Sequence, residues 1–378
     1  QFTPAYGAST TFPNRGGQAN LNLRGLGSNR ALVLLDGRRL IASNPDGSVD
    51  VNVIPNILIG GVETITGGAS AAYGSDAMAG VVNMTLRKDF QGLEIDSQYN
   101  ITDRGDGGTA NVSVAGGTRF ANDRGSAMFF VGYSDRDEVL TGDRAFPRNR
   151  LMLAYQPTGD VRSPGNPPRQ DVIDALFAGY GYPNVGPVTV FGINPDGTLY
   201  KQAPTTTPVV NYRGELDDLF LNRGNQIALA ASATYSLQIP LERANVFGRI
   251  TYDLSDNVEV FGDVLYTQYD AVASQAFPLV GAVGQSVRVP VTNPFLPDDV
   301  RTLMASRPNP TAPFNFTTAL RPLGVLQYDS SWEVYQITTG LKGRLEARDW
   351  SWDIHVSHGE VDNVDRRVNN ASLSIIQA

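Results

Sequence analysis

The sequence predicts a membrane all-β fold: a partial transmembrane antiparallel β-barrel preceded by a small mixed α/β module. Three observations lead there. From Gly92 onward, apolar and polar residues alternate strictly. Large aromatic residues sit on the apolar face near the ends of those stretches. The connections between stretches are in turn very short and very long, as in a barrel with tight turns on one side of a membrane and loops on the other.

Residues 1–90 read as the mixed module. Leu32 to Leu35 is a short buried strand, and Asp36-Gly37 is a tight hairpin turn because glycine tolerates positive φ. Arg38 to Ile41 returns. Residues 41–50 are polar and hold Asn44-Pro-Asp-Gly, a turn signal. Val62-Glu-Thr-Ile-Thr is another strand. Gly67-Gly-Ala-Ser-Ala-Ala-Tyr-Gly is a one-turn helix between glycines, and residues 81–86 form a last strand.

Residues 91–378 read as barrel wall. In the stretch from Leu93, the residues Leu93, Ile95, Tyr99 and Ile101 share one face, with Glu94, Asp96, Gln98 and Asn100 opposite. Trp350, Trp352, Ile354 and Val356 face away from Ser351, Asp353, His355 and Ser357. The same alternation sets Tyr335, Ile337 and Leu341 against Gln336, Thr338 and Lys342, and Val260, Val264 and Tyr266 against Glu259, Asp263 and Thr267. A soluble sandwich alternates too. The aromatic girdle of Tyr99, Tyr133, Tyr252, Tyr266, Tyr335, Trp350 and Trp352 favours a membrane wall. Seven strands are expected, near 92–102, 109–119, 125–135, 244–253, 257–269, 332–346 and 350–361. Lengths of ~9–11 residues suit a tilted crossing. The turns at 120–124, 254–256 and 347–349 are short, and the loops at 136–243 and 270–331 are long and extracellular. Apolar residues at helical spacing predict a helix near 170–178, and paired acids at a helix start predict one near 298–305; both are expected to cap the barrel. Residues 224–243 read either as a loop hairpin or as an extended start of the fourth strand.

Composition narrows the function. The chain has 378 residues, a net charge of −8 and no cysteine. A disulfide scaffold, a thiolate metal site and a cysteine nucleophile are excluded. The acidic balance disfavours a nucleic-acid partner. No apolar run is long enough for a membrane helix. His355 and His358, the only histidines, lie three apart on a strand and cannot share a metal. The acids at 103 and 106, and at 135, 137 and 138, lack a twelve-residue calcium loop and read as a solvated rim. Arg24-Gly-Leu-Gly lacks the third glycine and the helix of a dinucleotide loop. Gly68-Ala-Ser-Ala-Ala lacks the second glycine of a nucleophile elbow. No catalytic constellation, metal site or cofactor site is expected, and the chain does not read as an enzyme.

Asn22-Leu-Arg-Gly-Leu-Gly-Ser-Asn-Arg, followed by Leu32-Val-Leu-Leu-Asp-Gly-Arg-Arg-Leu, closely resembles the plug domain of TonB-dependent outer-membrane receptors. Ile54-Pro and the run from Val62 through Ala72-Tyr73-Gly74-Ser75 to Asn83 resemble the plug's second half. Asn293-Pro-Phe-Leu-Pro-Asp-Asp and Ser306-Arg-Pro-Asn-Pro are similar to loops of one proteobacterial branch. The resemblance implies a truncated plug at 1–90 and the first part of a barrel of about 22 strands. It implies a bacterial outer-membrane location and active uptake of a scarce or bulky nutrient, of siderophore, vitamin, glycan or peptide type. The partners it implies are outer-membrane lipid, the nutrient ligand and the energising TonB–ExbB–ExbD complex, which would act through an N-terminal box that precedes the plug. Arg24, Gly25, Asp36, Gly37, Tyr73 and Gly74 fall on the plug's structural motifs. The loop at 41–50 falls where such plugs face outward, making Ser43, Asn44, Asp46 and Ser48 the candidate ligand contacts, all expected to be exposed. A globule inside a polar barrel must also pair its charges with the wall. Arg24, Arg30, Arg38 and Arg39 are set against Glu94, Asp96, Glu259 and Asp263. A passive porin and a secreted β-rich adhesin or hydrolase are the alternatives.

Overall fold

The computed structural model describes residues 16–66, 69–87, 90–145, 159–188, 190–202, 208–280, 287–345, 350–372 and 376, with the backbone alone of residues 2–3. The chain divides into two compact units. The first holds residues 1–139, 236–273 and 328–366, and the second holds 140–235, 274–327 and 367–378.

The first unit begins with a four-stranded sheet. Its strands are β1 (Ala31–Leu35), β2 (Arg38–Arg39), β3 (Ile59–Ile65) and β4 (Gly80–Leu86), in the order β2-β1-β4-β3. All five residues of β1 are buried, as a continuous apolar run requires. β1 runs parallel to β4, with Leu34 opposite Asn83. The Asp36-Gly37 turn has φ of 49° and 78°, the doubly left-handed turn that matches strand twist. Helix α1 (Ser70–Tyr73) ends at Gly74, whose φ is 93°. Residues 67 and 68 of the expected helix lie outside the described residues.

Seven further strands follow as a meander in chain order: β5 (Gly92–Asn100), β6 (Thr109–Phe120), β7 (Gly125–Arg136), β8 (Leu241–Ser255), β9 (Val258–Ser274), β10 (Gln327–Leu345) and β11 (Trp350–Val368). The sheet is open, and β5 and β11 are its edges. The last two strands run 19 residues each, longer than a minimal crossing. The expected turn near 347–349 lies outside the described residues. One face carries Leu93, Ile95, Val131, Ile250, Ile354 and Val356, all half or more exposed. Stripped of a bilayer, that is how a lipid-facing wall looks. The other face was expected to be polar, but it is polar only in part. Met128, Phe130, Phe247, Leu265 and Val334 point inward and share one core with Val33, Leu35, Val53 and Leu58 of the α/β module. The inward face is apolar where it touches protein rather than water.

Arg136, where the first long insertion leaves, pairs with Leu241, where it returns. Leu241 pairs with Ala271, just before the second insertion leaves. Both insertions therefore spring from the same end of the sheet. Residues 224–243 resolve into a hairpin of Phe220–Asn222 with Ile227–Leu229, and β8 begins only at Leu241.

The two insertions build the second unit together. Asp160–Arg162 from the first pairs with the 315–317 stretch of the second. Helices α2 (Gln170–Gly179) and α3 (Asp298–Ala305) form where the sequence places them. Ile173 and Phe177 of α2 and Val300, Leu303 and Met304 of α3 share a core with Val161, Leu199 and Phe314. The core of this unit is thus drawn from both insertions.

Two outcomes follow from this packing. In a full-length receptor, Ile354→Arg should impair assembly, because a charge at the midplane of a barrel's lipid face costs ~2–4 kcal/mol. Ser357→Arg, on the other face of the same strand, should do less, as measured by heat-resistant folded band on gels. Phe177→Ala should cost ~3–5 kcal/mol. It should raise amide exchange at 160–201 and 298–319 together, although the substitution lies in the first insertion only.

Candidate functional site

The seam between the α/β module and the wall, all within the first unit, gathers the polar chemistry. Its centre is a cluster of five charges. Asp263 of β9 takes Arg249 of β8 in a two-pronged contact, at 2.6 Å from Nε and 2.8 Å from Nη2. Asp263 also meets Arg38 of the module at 3.4 Å, and Arg38 reaches Asp353 of β11 at 3.2 Å. Arg249 then donates its remaining Nη1 to Asp36 of the module. The Arg38 guanidinium stacks 3.7 Å above the Phe261 ring. The side chains of Arg38, Arg249 and Asp263 are each about nine-tenths buried. Charges this dry hold only because each is answered.

Asp36 reaches Arg249 because of its turn. Its backbone N–H donates to Met84 O at 2.8 Å, and its other carboxylate oxygen accepts from Leu86 N at 3.0 Å. Gly37 N donates to the Asn83 side chain. The turn is fastened to β4 from both sides, which aims one oxygen at the wall. A cleft of about 360 Å³ beside it is lined by Asp36, Gly37, Arg38, Arg249, Lys342 and Asp353.

Of the expected plug–wall pairs, only Arg38 with Asp263 forms. Arg39 turns back on the module, to Asp76 and the Tyr73 carbonyl. Arg30 donates to Leu26 O. Glu94 is taken by Arg87 and Glu259 by Lys342. Arg24, at φ 57°, and Gly25, at φ 72°, shape an exposed turn. Sequence reasoning missed Arg249. Its only trace is an arginine on the inward parity of an otherwise membrane-type strand.

The loop at 41–50 corrects a second expectation. Ser43, Asn44 and Ser48 are buried, at 2%, 7% and 1% exposure, and only Asp46 stays out. The polar groups satisfy one another. Asn44 Nδ2 donates to Gln18 Oε1 and Ser48 Oγ, Asp46 Oδ1 accepts from Ser48, and Ser43 Oγ accepts from Asp50 N. The wall holds this loop too. Gln336 of β10 accepts from Ile41 N at 2.8 Å and donates to Arg39 O at 3.0 Å. Asn245 of β8 donates to Asn52 O.

Asp50 closes the loop and is completely buried. Burial pushes its carboxyl above the ordinary carboxylate range. Arg243 at 3.7 Å and the N–H groups of Ala19 and Asn52 pull it part of the way back.

The two anchors should respond differently. Asp263→Ala leaves Arg249 with Asp36 alone and Arg38 with Asp353 alone, with buried N–H donors unanswered, and should cost ~1–3 kcal/mol of module stability. Asp76→Ala removes a half-exposed pair and should cost under about 1 kcal/mol. Thermal melts with a probe on the module would separate them. At Asp50 the folded state holds its proton more tightly than the unfolded chain. The stabilisation present at low pH is therefore lost as pH rises through the raised value. Asp50→Asn should flatten that slope, read from melts between pH 4 and 8.

Residues 3–81 match the family model described as the TonB-dependent Receptor Plug Domain. Three solved structures similar to the chain are as follows. A ferric enterobactin receptor mutant from Pseudomonas aeruginosa, in complex with enterobactin, matches at 12% identity and TM-score 0.43, over 92% of this chain and 36% of that one. The siderophore receptor PirA from Pseudomonas aeruginosa matches at 12% and 0.36, over 97% and 50%. The copper transporter OprC matches at 12% and 0.38, over 93% and 42%. The chain spans about a third to a half of their lengths. With TM-scores this low, the family-model match carries the assignment. Residues 3–81 are thus a TonB-dependent receptor plug domain, and the seven-stranded alternating wall follows it in the chain.

Proposed function

We propose that the receptor to which this chain belongs captures a scarce or bulky nutrient outside the cell, of siderophore, vitamin, glycan or peptide type. An energised TonB–ExbB–ExbD complex then displaces the plug through an N-terminal box, and the nutrient crosses the outer membrane. The observation that best supports this is how the plug is held. The Arg38–Asp263–Arg249–Asp36 cluster seats it by polar contacts that a pull can exchange for water. A passive pore gains nothing from such a stopper.

Within this reading the 41–50 loop contributes to ligand capture mainly through its exposed tip, Pro45, Asp46 and Gly47. Ser43, Asn44 and Ser48 act behind it, fixing the tip's shape, so little entropy is lost on binding.

The test uses the full-length receptor in cells stripped of other uptake receptors. Ferric siderophores, cobalamin and maltooligosaccharides are offered in labelled form. At least one should enter, and entry should stop when the energising complex is deleted. Entry that persists without it would make the protein a passive pore. A Pro45→Cys variant should react with an impermeant maleimide from outside, and the transported compound should protect it.

A further inference from the structure

The lipid-facing surface of the wall has a notch at β8 and β9. On β8 and β9, Gly248 lies opposite Val264, and Ile250 lies opposite Gly262. By strand parity all four point to the outer, apolar face. The two glycines sit diagonally, between Ile250, Val264 and Ile337, which are 54%, 43% and 50% exposed. The result is a groove of about 420 Å³ with these residues along its rim.

A glycine inside a strand weakens it and needs a reason. Three reasons internal to the protein can be checked. The first is a left-handed backbone, and neither Gly248 nor Gly262 has one. The second is a clash. A Cβ on Gly262 would meet only Ile250 Cγ2, at an ordinary 3.7 Å, and one on Gly248 only Val264 Cγ1, at 3.2 Å, a contact relieved by a shift of a few tenths of an ångström. The third is a neighbouring ring that needs the space. Phe129 of β7 stands beside two glycines, Gly116 of β6 and Gly248 of β8. Its ring lies over Gly116, where an added Cβ would come within 2.3 Å of it. Gly116 is thus explained from inside the molecule, and Gly248 and Gly262 are not.

We propose that the Gly248–Gly262 notch seats one hydrocarbon chain of a membrane lipid, held longer than the lipid around it. The occupant follows from where the notch lies. It is continuous with the exposed band of Val131, Val246, Ile250, Val264 and Ile337, the face that meets the bilayer in a receptor of this family. Its rim of aliphatic side chains, Ile250, Val264 and Ile337, offers a hydrocarbon chain only apolar contact. The position also matters. Arg249 and Asp263, the centre of the plug anchor, are the next residues along the same two strands, on the opposite face. At the notch only the backbone separates that ion pair from hydrocarbon, and a seated chain thickens the apolar barrier there.

The experiment uses the full-length receptor reconstituted in vesicles of phosphatidylethanolamine carrying a small share of lipid with a diazirine on its acyl chain. After irradiation and digestion, labelled peptides are quantified. Peptides containing 246–266 should carry several-fold more label than the peptide containing Ile354, on the same outer face. Gly262→Leu should bring that excess down to the level of the Ile354 peptide, and Gly262→Ala should lower it part-way. Val356→Leu should leave it unchanged. Even labelling along the whole outer face of the wild type overturns the proposal, whatever the variants do. So does an excess that survives a folded Gly262→Leu. Should that variant fail to fold, the Gly262→Ala receptor decides: undiminished excess there is also an overturning result.

Discussion

The Asp263 carboxylate is the point on which the plug's seat depends. It holds Arg249 in register on the wall and meets Arg38 of the plug, while Arg249 returns the contact to Asp36. Removing Asp263 takes one of two acids from each arginine at once. Such clusters add little net stability compared with apolar packing of the same volume. What they add is exchangeability. The apolar part of the seam, with Phe130, Phe247 and Val334 against Val33 and Val53, supplies adhesion. The polar part supplies contacts that water can replace singly.

The seam is also graded along the wall. Near the end from which the insertions spring, Arg243 and Asn245 hold the loop closed by Asp50. In the middle, Gln336 clamps the backbone of Arg39 and Ile41. Further down, Arg249 and Asp263 grip the hairpin. Each tier uses a different chemistry: a fully buried carboxyl, a neutral amide, a paired ion cluster. Conditions that loosen one tier leave the others in place.

Much of this fold was legible because period 2 admits few readings. Leu93, Ile95, Ile354 and Val356 could share a face only on strands, and the apolar run before Asp36-Gly37 could only be a buried strand with a hairpin turn. The site was less legible. Ser43, Asn44 and Ser48 look exposed by composition, yet short polar side chains can be buried once they bond to each other. Arg249 carries no local signature, since its partners lie 14 residues ahead and 213 residues back. The shared sheet of the insertions rests on pairings such as Asp160 with Thr317, 157 residues apart, which no local pattern encodes.

That shared sheet has a consequence for how such a receptor can diversify. Surface loops usually tolerate exchange one at a time. Here Asn166 and Asn309 bond reciprocally across the two insertions, Arg307 reaches Ser163, and α2 rests on α3. A graft or deletion confined to one insertion leaves half a core exposed. The two segments form one heritable unit written in two places, with two strands of wall-building sequence between them. Recombination that preserves function must carry both segments, and changes at one should be matched by compensating changes at the other.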